Sequence, residues 1–166
     1  MGRWRPPQPK SAPYITVEGY RALETEQDAL WLRRRSVVTA LSEAAAEGDR
    51  SENAEYIYRK KELAGIDRRI RYLQKRLPDL TIVEPRADAE RIFFGAWVSL
   101  EDEVGEALDL RIVGADEIDA KQGLISVDSP MAKALLGKRL DDEIFLRTDT
   151  DAKTYVVVGI RYDGAL

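Results

Sequence analysis

Apolar residues recur at alternating spacings of three and four along two segments of the chain, a pattern typical of helices that pack in a coiled coil. The first series is Tyr20, Leu23, Gln27, Leu30, Arg34, Val37, Leu41 and Ala44, with polar exceptions at Gln27 and Arg34. The second series is Tyr56, Arg59, Leu63, Ile66, Ile70, Leu73 and Leu77. Two helices joined by a short turn pack antiparallel, so the pattern predicts a coiled-coil hairpin over residues 14–78 with its tip at 48–56.

The ends of this hairpin are also predicted by local signals. Thr16 is placed to cap the first helix, and Pro78 is expected to end the second. Each helix should span roughly 40 Å. Because the polar seam residues Arg34 and Arg59 lie in the half nearer the tip, the base is expected to be the better packed end.

The second half of the chain alternates β-branched or aromatic runs with turn residues, which predicts strands. The runs cover residues 92–100, 107–113, 124–127, 144–147 and 155–161. One short helix is expected at 131–136, with Ser129 as its cap, Pro130 at its first position and Gly137 at its end. The fold class is therefore α+β, a helical hairpin followed by a small antiparallel sheet with a helix on one face. Residues 79–90 are interpreted as a linker and residues 91–166 as the sheet domain.

Composition excludes several classes of function. The 26 basic and 30 acidic residues give a net charge of −4, so any nucleic-acid contact must come from a local cluster. The chain has no cysteine and no histidine, which removes thiol chemistry and the commonest general base. Residues 1–13 are rich in proline and basic residues, and we expect a flexible tail. No apolar run approaches the roughly 20 residues that span a membrane, and no secretory signal is evident, so a cytoplasmic location is expected.

The turn between the helices carries two acids, Asp49 and Glu52. Their spacing of three places both carboxylates on one turn if a helix begins there. Two interpretations remain open. The pair has the form of a capping box, in which Asp49 accepts from the first free backbone N–H groups. Alternatively, the acids are displayed to hold Mg²⁺, which usually takes only one or two protein carboxylates.

A basic zone is predicted a few turns behind the acidic tip. Its members are Arg33, Arg34, Arg35, Arg59, Lys60 and Lys61, which fall at similar heights once the hairpin folds. Such a cluster can follow phosphates without reading sequence. The alternative is a solvated face whose charges pair with one another.

The tip sequence from Gly48 to Tyr56 resembles that of the bacterial Gre transcript-cleavage factors. The likeness continues through residues 58–61, 66–73, 93–98 and 125–132, and it covers the chain from Tyr14 to its end. Several blocks in the right order make the resemblance far more specific than an acid pair alone.

The resemblance implies an accessory factor rather than an enzyme. Its hairpin would enter the secondary channel of a backtracked RNA polymerase and stimulate cleavage of the 3′ end of the nascent RNA. Asp49 and Glu52 would lend their carboxylates to a weakly held Mg²⁺ that is shared with the polymerase active site and not bound tightly by the free protein.

Roles for neighbouring residues follow from the same resemblance. Ser51 and Asn53 either hydrogen-bond at the site or shape the turn. Arg59, Lys60 and Lys61 would hold the displaced RNA by its phosphates.

The resemblance also implies that the C-terminal domain has an FKBP-like fold and docks on the polymerase, and that the active form is a monomer. An alternative function is a regulator that blocks the channel without promoting cleavage. The presence of both Asp49 and Glu52 favours the cleavage-competent interpretation.

Overall fold

The computed structural model describes residues 9–47 and 53–162. The chain divides into two compact units. The hairpin unit is Tyr20–Leu80, and the sheet unit combines Met1–Gly19 with Thr81–Leu166. Each unit has its own set of buried residues.

Two long helices make the hairpin, α1 at Val17–Ala46 and α2 at Ala54–Asp79. Thr16 caps α1 as expected, since its hydroxyl oxygen accepts from the backbone N–H of Gly19 at 3.0 Å. The end of α2 differs slightly from the expectation, because the helix runs through Pro78 to Asp79. The fixed φ of proline is compatible with a helix, and in the last turn its missing N–H removes one backbone hydrogen bond without ending the helix at that position.

The predicted seam is confirmed, because every position in both series is buried or half-buried. Val37, Ile66 and Ile70 form a buried cluster, against which Leu30 and Leu63 pack. These residues come from both helices, so the apolar stripe of one helix covers that of the other. Within residues 9–47 and 53–162, no helix combines the length and apolarity that a membrane span requires.

Packing along the seam is distributed differently on the two helices. On α2, the buried residues all lie at Ile66 or beyond, toward the base, in agreement with the expectation. On α1, however, Val37 and Ala44 are also buried, at 1% and 3% exposure. The tip half is therefore better packed than the polar residues in its seam indicated.

The sheet unit contains seven strands and one short α-helix in its described part. The strands are β1 Tyr14–Ile15, β2 Thr81–Ile82, β3 Trp97–Asp102, β4 Ala107–Val113, β5 Leu124–Ser126, β6 Glu143–Arg147 and β7 Ala152–Arg161. The helix, α3, is Pro130–Leu135, and Ser129 caps it as expected by accepting from the N–H of Ala132. The main sheet has the order β5-β4-β3-β7-β6.

Two features of the main sheet correct the expectation from the sequence. Strand β5 pairs with β4 in parallel, so the sheet is mixed rather than purely antiparallel. The ten residues between these strands include a 3₁₀ turn at Ala120–Gln122, and this connection crosses over instead of forming a hairpin. The strand expected from residue 92 begins only at Trp97, because Gly95 has φ 87° and interrupts the extended run.

The short strands β1 and β2 pair in parallel, with Tyr14 opposite Thr81 and Ile15 opposite Ile82. The sequence placed Tyr14 and Ile15 at the start of the hairpin, and Thr81 and Ile82 in the linker. Their pairing brings the chain just before α1 beside the chain just after α2.

A carboxylate holds the segment before α1 in place. Glu117 accepts from the backbone N–H of Thr16 at 3.1 Å and from that of Gly114 at 2.8 Å, and it also accepts from the Thr16 hydroxyl. Gly114 approaches this segment so closely that a Cβ there would lie 2.1 Å from the Tyr14 carbonyl oxygen. Only glycine fits at position 114 without moving the backbone.

We expect Gly114→Ala to lower the free energy of unfolding by about 1–3 kcal/mol, the usual cost of overpacking, because its methyl group meets a backbone atom that cannot swing aside. Gly65→Ala is the matched control. It lies in α2 with its nearest neighbour, an Arg68 nitrogen, 3.8 Å from the new Cβ, and should stabilise by about 0.5–1 kcal/mol. Urea unfolding measures both. Equal stability of Gly114→Ala and the parent would contradict the close approach.

Candidate functional site

The residues predicted to form the site fall into two groups. Asp49, Ser51 and Glu52 lie outside the described residues. Asn53 and the basic residues of α2 are described, and they show how the hairpin end and the zone behind it are built.

Asn53 joins the two helices at the hairpin end. Its side-chain oxygen accepts from the N–H of Tyr56 at 3.1 Å, which caps α2, and its side-chain nitrogen donates to the carbonyl of Ala44 at 2.8 Å. The carbonyl of Asn53 also accepts the first helical hydrogen bond, from Ile57. One side chain thus satisfies a free donor of α2 and gives a second hydrogen bond to the Ala44 carbonyl of α1, which also accepts from the N–H of Glu47 at 3.3 Å.

The position of this cap corrects the capping-box interpretation. Helix α2 begins at Ala54 with Asn53 as its cap, so Asp49 does not cap it. Asparagine is as good a cap as aspartate, and its amide adds the donor that reaches α1. The sequence contained this signal, because an asparagine stands three residues before Tyr56, the first position of the second apolar series.

Ion pairs occupy much of the predicted basic zone. Arg59 donates through Nε to Glu55 at 2.7 Å and through Nη1 to Glu62 at 3.0 Å. Arg33 of α1 contacts the other oxygen of Glu62, at 2.6 Å from Nη2 and 2.8 Å from Nε. The hydrogen bond from Arg33 is the main cause that lowers the pKa of Glu62, and the one to Glu55 is the main cause that raises the pKa of Arg59.

Arg34 is paired as well, with Asp67 at 2.7 Å. Asp67 explains why Arg34 is tolerated in the apolar seam, because its carboxylate on α2 pairs with the guanidinium on α1. For Arg33, Arg34 and Arg59 the structure therefore favours the interpretation of a face whose charges pair with one another.

The remaining members of the zone are Arg35, Lys60 and Lys61, all exposed. Within the part of the chain that the structure describes, none of their side chains has a carboxylate partner. In the described residues the zone thus contains two kinds of cation: arginines that are paired with carboxylates, and exposed side chains without a carboxylate partner, the open cations. Glu55 and Glu62 are not among the predicted partners of Arg59, although their spacing of four and three from it is a readable signal.

A further ion pair crosses the hairpin nearer its base. Arg69 donates to both oxygens of Glu26, at 2.6 and 2.9 Å. Its hydrogen bond is the main cause that lowers the pKa of Glu26. Bidentate geometry of this kind makes the pair more directional than a simple contact of charges.

Comparison with known proteins finds family models that match both halves of the chain. A family model described as "Transcription elongation factor, N-terminal" matches residues 13–82, and another described as "Transcription elongation factor, GreA/GreB, C-term" matches residues 87–162. The chain belongs to the GreA/GreB family.

Relatives within the GreA/GreB family are close. Transcription elongation factor GreB of Xanthomonas axonopodis pv. citri is 57% identical over 165 residues, 98% of each chain. The protein of the same name from Pseudomonas aeruginosa is 54% identical over 167 residues, 99% of each chain. A crystal structure of Thermus aquaticus Gfh1 is 31% identical, covers 91% of this chain and 99% of its own, and has a TM-score of 0.43.

The role of Asn53 at the hairpin end can be divided by two substitutions. Asn53→Ala loses both the cap and the bond to Ala44, and we expect it to destabilise the protein by about 1–2 kcal/mol. Asn53→Ser keeps a capping hydroxyl and loses the amide that reaches Ala44, so it should fall between Asn53→Ala and the parent. Urea unfolding followed by helical circular dichroism measures both. If Asn53→Ser were as unstable as Asn53→Ala, the cap would contribute nothing.

The Glu26–Arg69 pair predicts a pH dependence of hairpin stability. Because the folded-state pKa of Glu26 is lowered, its contribution is complete above the ordinary pKa of glutamate and disappears as pH falls through the lowered value. The parent should therefore lose stability more steeply than Glu26→Gln on acidification. The difference will be small, since the two side chains are 37% and 41% exposed and solvent screens them. Urea midpoints from about pH 7 to about pH 3 measure it, and parallel curves would refute it.

Proposed function

We propose that this member of the GreA/GreB family binds bacterial RNA polymerase in the cytoplasm and inserts its hairpin into the secondary channel. There it stimulates endonucleolytic cleavage of the 3′ end of backtracked nascent RNA and so rescues arrested complexes. The protein acts as a monomeric accessory factor, and the polymerase carries out the chemistry. The observation that carries this proposal is the tie that Asn53 makes between the two helices, next in sequence to the acids of the tip.

The dimensions of the hairpin support the proposal. Helix α1 has 30 residues and α2 has 26, which correspond to roughly 45 and 39 Å. The residues buried in α1 and α2 all lie in the seam between the helices, while Leu32, Ile57 and Tyr58 are exposed outside it. A rod that is stable when surrounded by water and charge can enter a narrow polar channel.

The acids of the tip suit the chemistry proposed for them. Asp49 and Glu52 are hard oxygen donors, and one or two carboxylates are what a protein usually offers to Mg²⁺, with the rest of the shell coming from water and phosphate. When bound, such an ion activates a water molecule and stabilises the leaving oxygen of a phosphodiester. The contribution of this chain is to bring the two carboxylates to a site that the polymerase completes. Asn53, the residue after Glu52, is held by its cap on α2 and by its hydrogen bond to Ala44.

The cations behind the tip are suited to hold RNA. Lys60, Lys61 and Arg35 are exposed and face no carboxylate within the described residues. They can bind the phosphates of displaced RNA without reading its sequence. Arg59 can join them only by exchanging its partners, Glu55 and Glu62. Residues 91–166 are proposed to dock on the polymerase.

The proposal is tested by RNA cleavage in a halted, backtracked elongation complex at fixed Mg²⁺. The parent should accelerate cleavage, while Asp49→Asn should bind the polymerase equally well and leave cleavage at its unstimulated rate. The amide keeps the shape of the side chain but removes the charge that favours a cation. Glu43→Gln is the matched control, because it removes one negative charge from an exposed position of α1 and should cleave like the parent.

Two outcomes would contradict this assignment. Normal stimulation by Asp49→Asn would show that the tip carboxylate has no part in cleavage. Binding without any stimulation by the parent would favour the alternative function, a regulator that blocks the channel.

A further inference from the structure

Glu62 bridges the two helices of the hairpin through its two carboxylate oxygens. Oε1 accepts from Arg33 of α1, and Oε2 accepts from Arg59 of α2 at 3.0 Å. Glu62 itself is only 19% exposed, whereas the Arg33 side chain is 51% exposed. A partly buried carboxylate therefore pairs with two arginines that are themselves partly exposed, Arg33 more than Arg59.

The donors used in these pairs are the ones that phosphate would need. Arginine binds phosphate best through two parallel N–H groups. On Arg59, Nε is occupied by Glu55 and Nη1 by Glu62. On Arg33, Nε and Nη2 both point to Glu62. A phosphate can bind either guanidinium bidentately through these edges only by displacing a carboxylate of this chain.

The surroundings of Glu62 favour single-stranded RNA as the competing ligand. Lys60 and Lys61 are exposed on the same helix without carboxylate partners in the described segments. Tyr58 is 59% exposed, and the guanidinium of Arg59 lies 5.4 Å from its ring centroid. Open cations beside an exposed aromatic ring are the combination that binds a strand with unstacked bases.

We propose that Glu62 is a specificity-determining residue. Its carboxylate occupies Arg33 and Arg59 so that free RNA does not bind them, and it is displaced only by RNA that is held against the hairpin. The inference rests on the proposed function for the source of that RNA. A strand held beside the hairpin acts at a high effective concentration, and exposed ion pairs are weak enough to be exchanged under that condition. Free RNA at low concentration meets only the open lysines.

The test is the binding of a short, fluorescently labelled single-stranded RNA to the full chain, measured by anisotropy at several salt concentrations. Glu62→Gln should bind more tightly than the parent. Each guanidinium that gains a phosphate should raise the affinity about fivefold at 0.1 M salt and steepen the log–log salt slope by about 0.7. A change of fold alone would not steepen the slope, and circular dichroism checks that the helices persist.

Glu26→Gln is the matched control, because it removes the same charge and releases Arg69. That arginine lies ten residues beyond Arg59 on α2, roughly 15 Å from it, so its release should change the slope less. Adding Arg33→Ala and Arg59→Ala to Glu62→Gln should bring the affinity and the slope back to the parent values or below.

Two results would overturn the inference. One is unchanged affinity in Glu62→Gln, which would mean that the carboxylate does not compete with RNA. The other is an equal gain in Glu26→Gln, which would mean that only net charge matters. The experiment contains no polymerase, so it is decided independently of cleavage. If the parent failed to stimulate cleavage, the proposed function would fall while the competition at Glu62 could still be observed.

Discussion

The hairpin depends on a single apolar seam. A rod of two helices has no second layer, so Val37, Ile66 and Ile70 with their neighbours supply the apolar burial that holds α1 against α2. Burial of this kind is not directional, and it cannot by itself decide where the rod ends or how its polar faces are arranged. Hydrogen bonds and ion pairs around the seam determine where the helices end and how their polar faces are arranged.

Different side chains form the hydrogen bonds at the two ends of α1. At its start, the Thr16 cap is held by Glu117 of the sheet unit. At its end, the carbonyl of Ala44 is met by Asn53, which also caps α2. Backbone groups at helix ends must find such partners, and here the partners also bind separate segments together. The same hydrogen bonds that satisfy the backbone therefore hold the end of α1 to the start of α2.

The charged faces of the hairpin divide into two kinds. Some cations are paired with carboxylates at little net gain in stability, Arg69 with Glu26 across the two helices and Arg59 with Glu55 within α2. Others, such as Lys60 and Lys61, meet water. This division matters for an elongation factor of the GreA/GreB family, because a rod covered with open cations would bind any RNA or DNA it met. In the role proposed for Glu62, its pairing with Arg33 and Arg59 lowers that background.

The sequence by itself determined the two helices, their seam, the cap at Thr16 and the resemblance to the family, because these depend on local periodicity and on contiguous motifs. Tertiary structure alone decided that β5 runs parallel to β4 and that Asn53 ties α2 to α1. It also decided that Glu62 reaches Arg33, 29 residues away in the chain. The physical reason is the same in each case: a partner distant along the chain is selected by the packing of whole elements, and no local pattern specifies which side chains that packing brings into hydrogen-bond range.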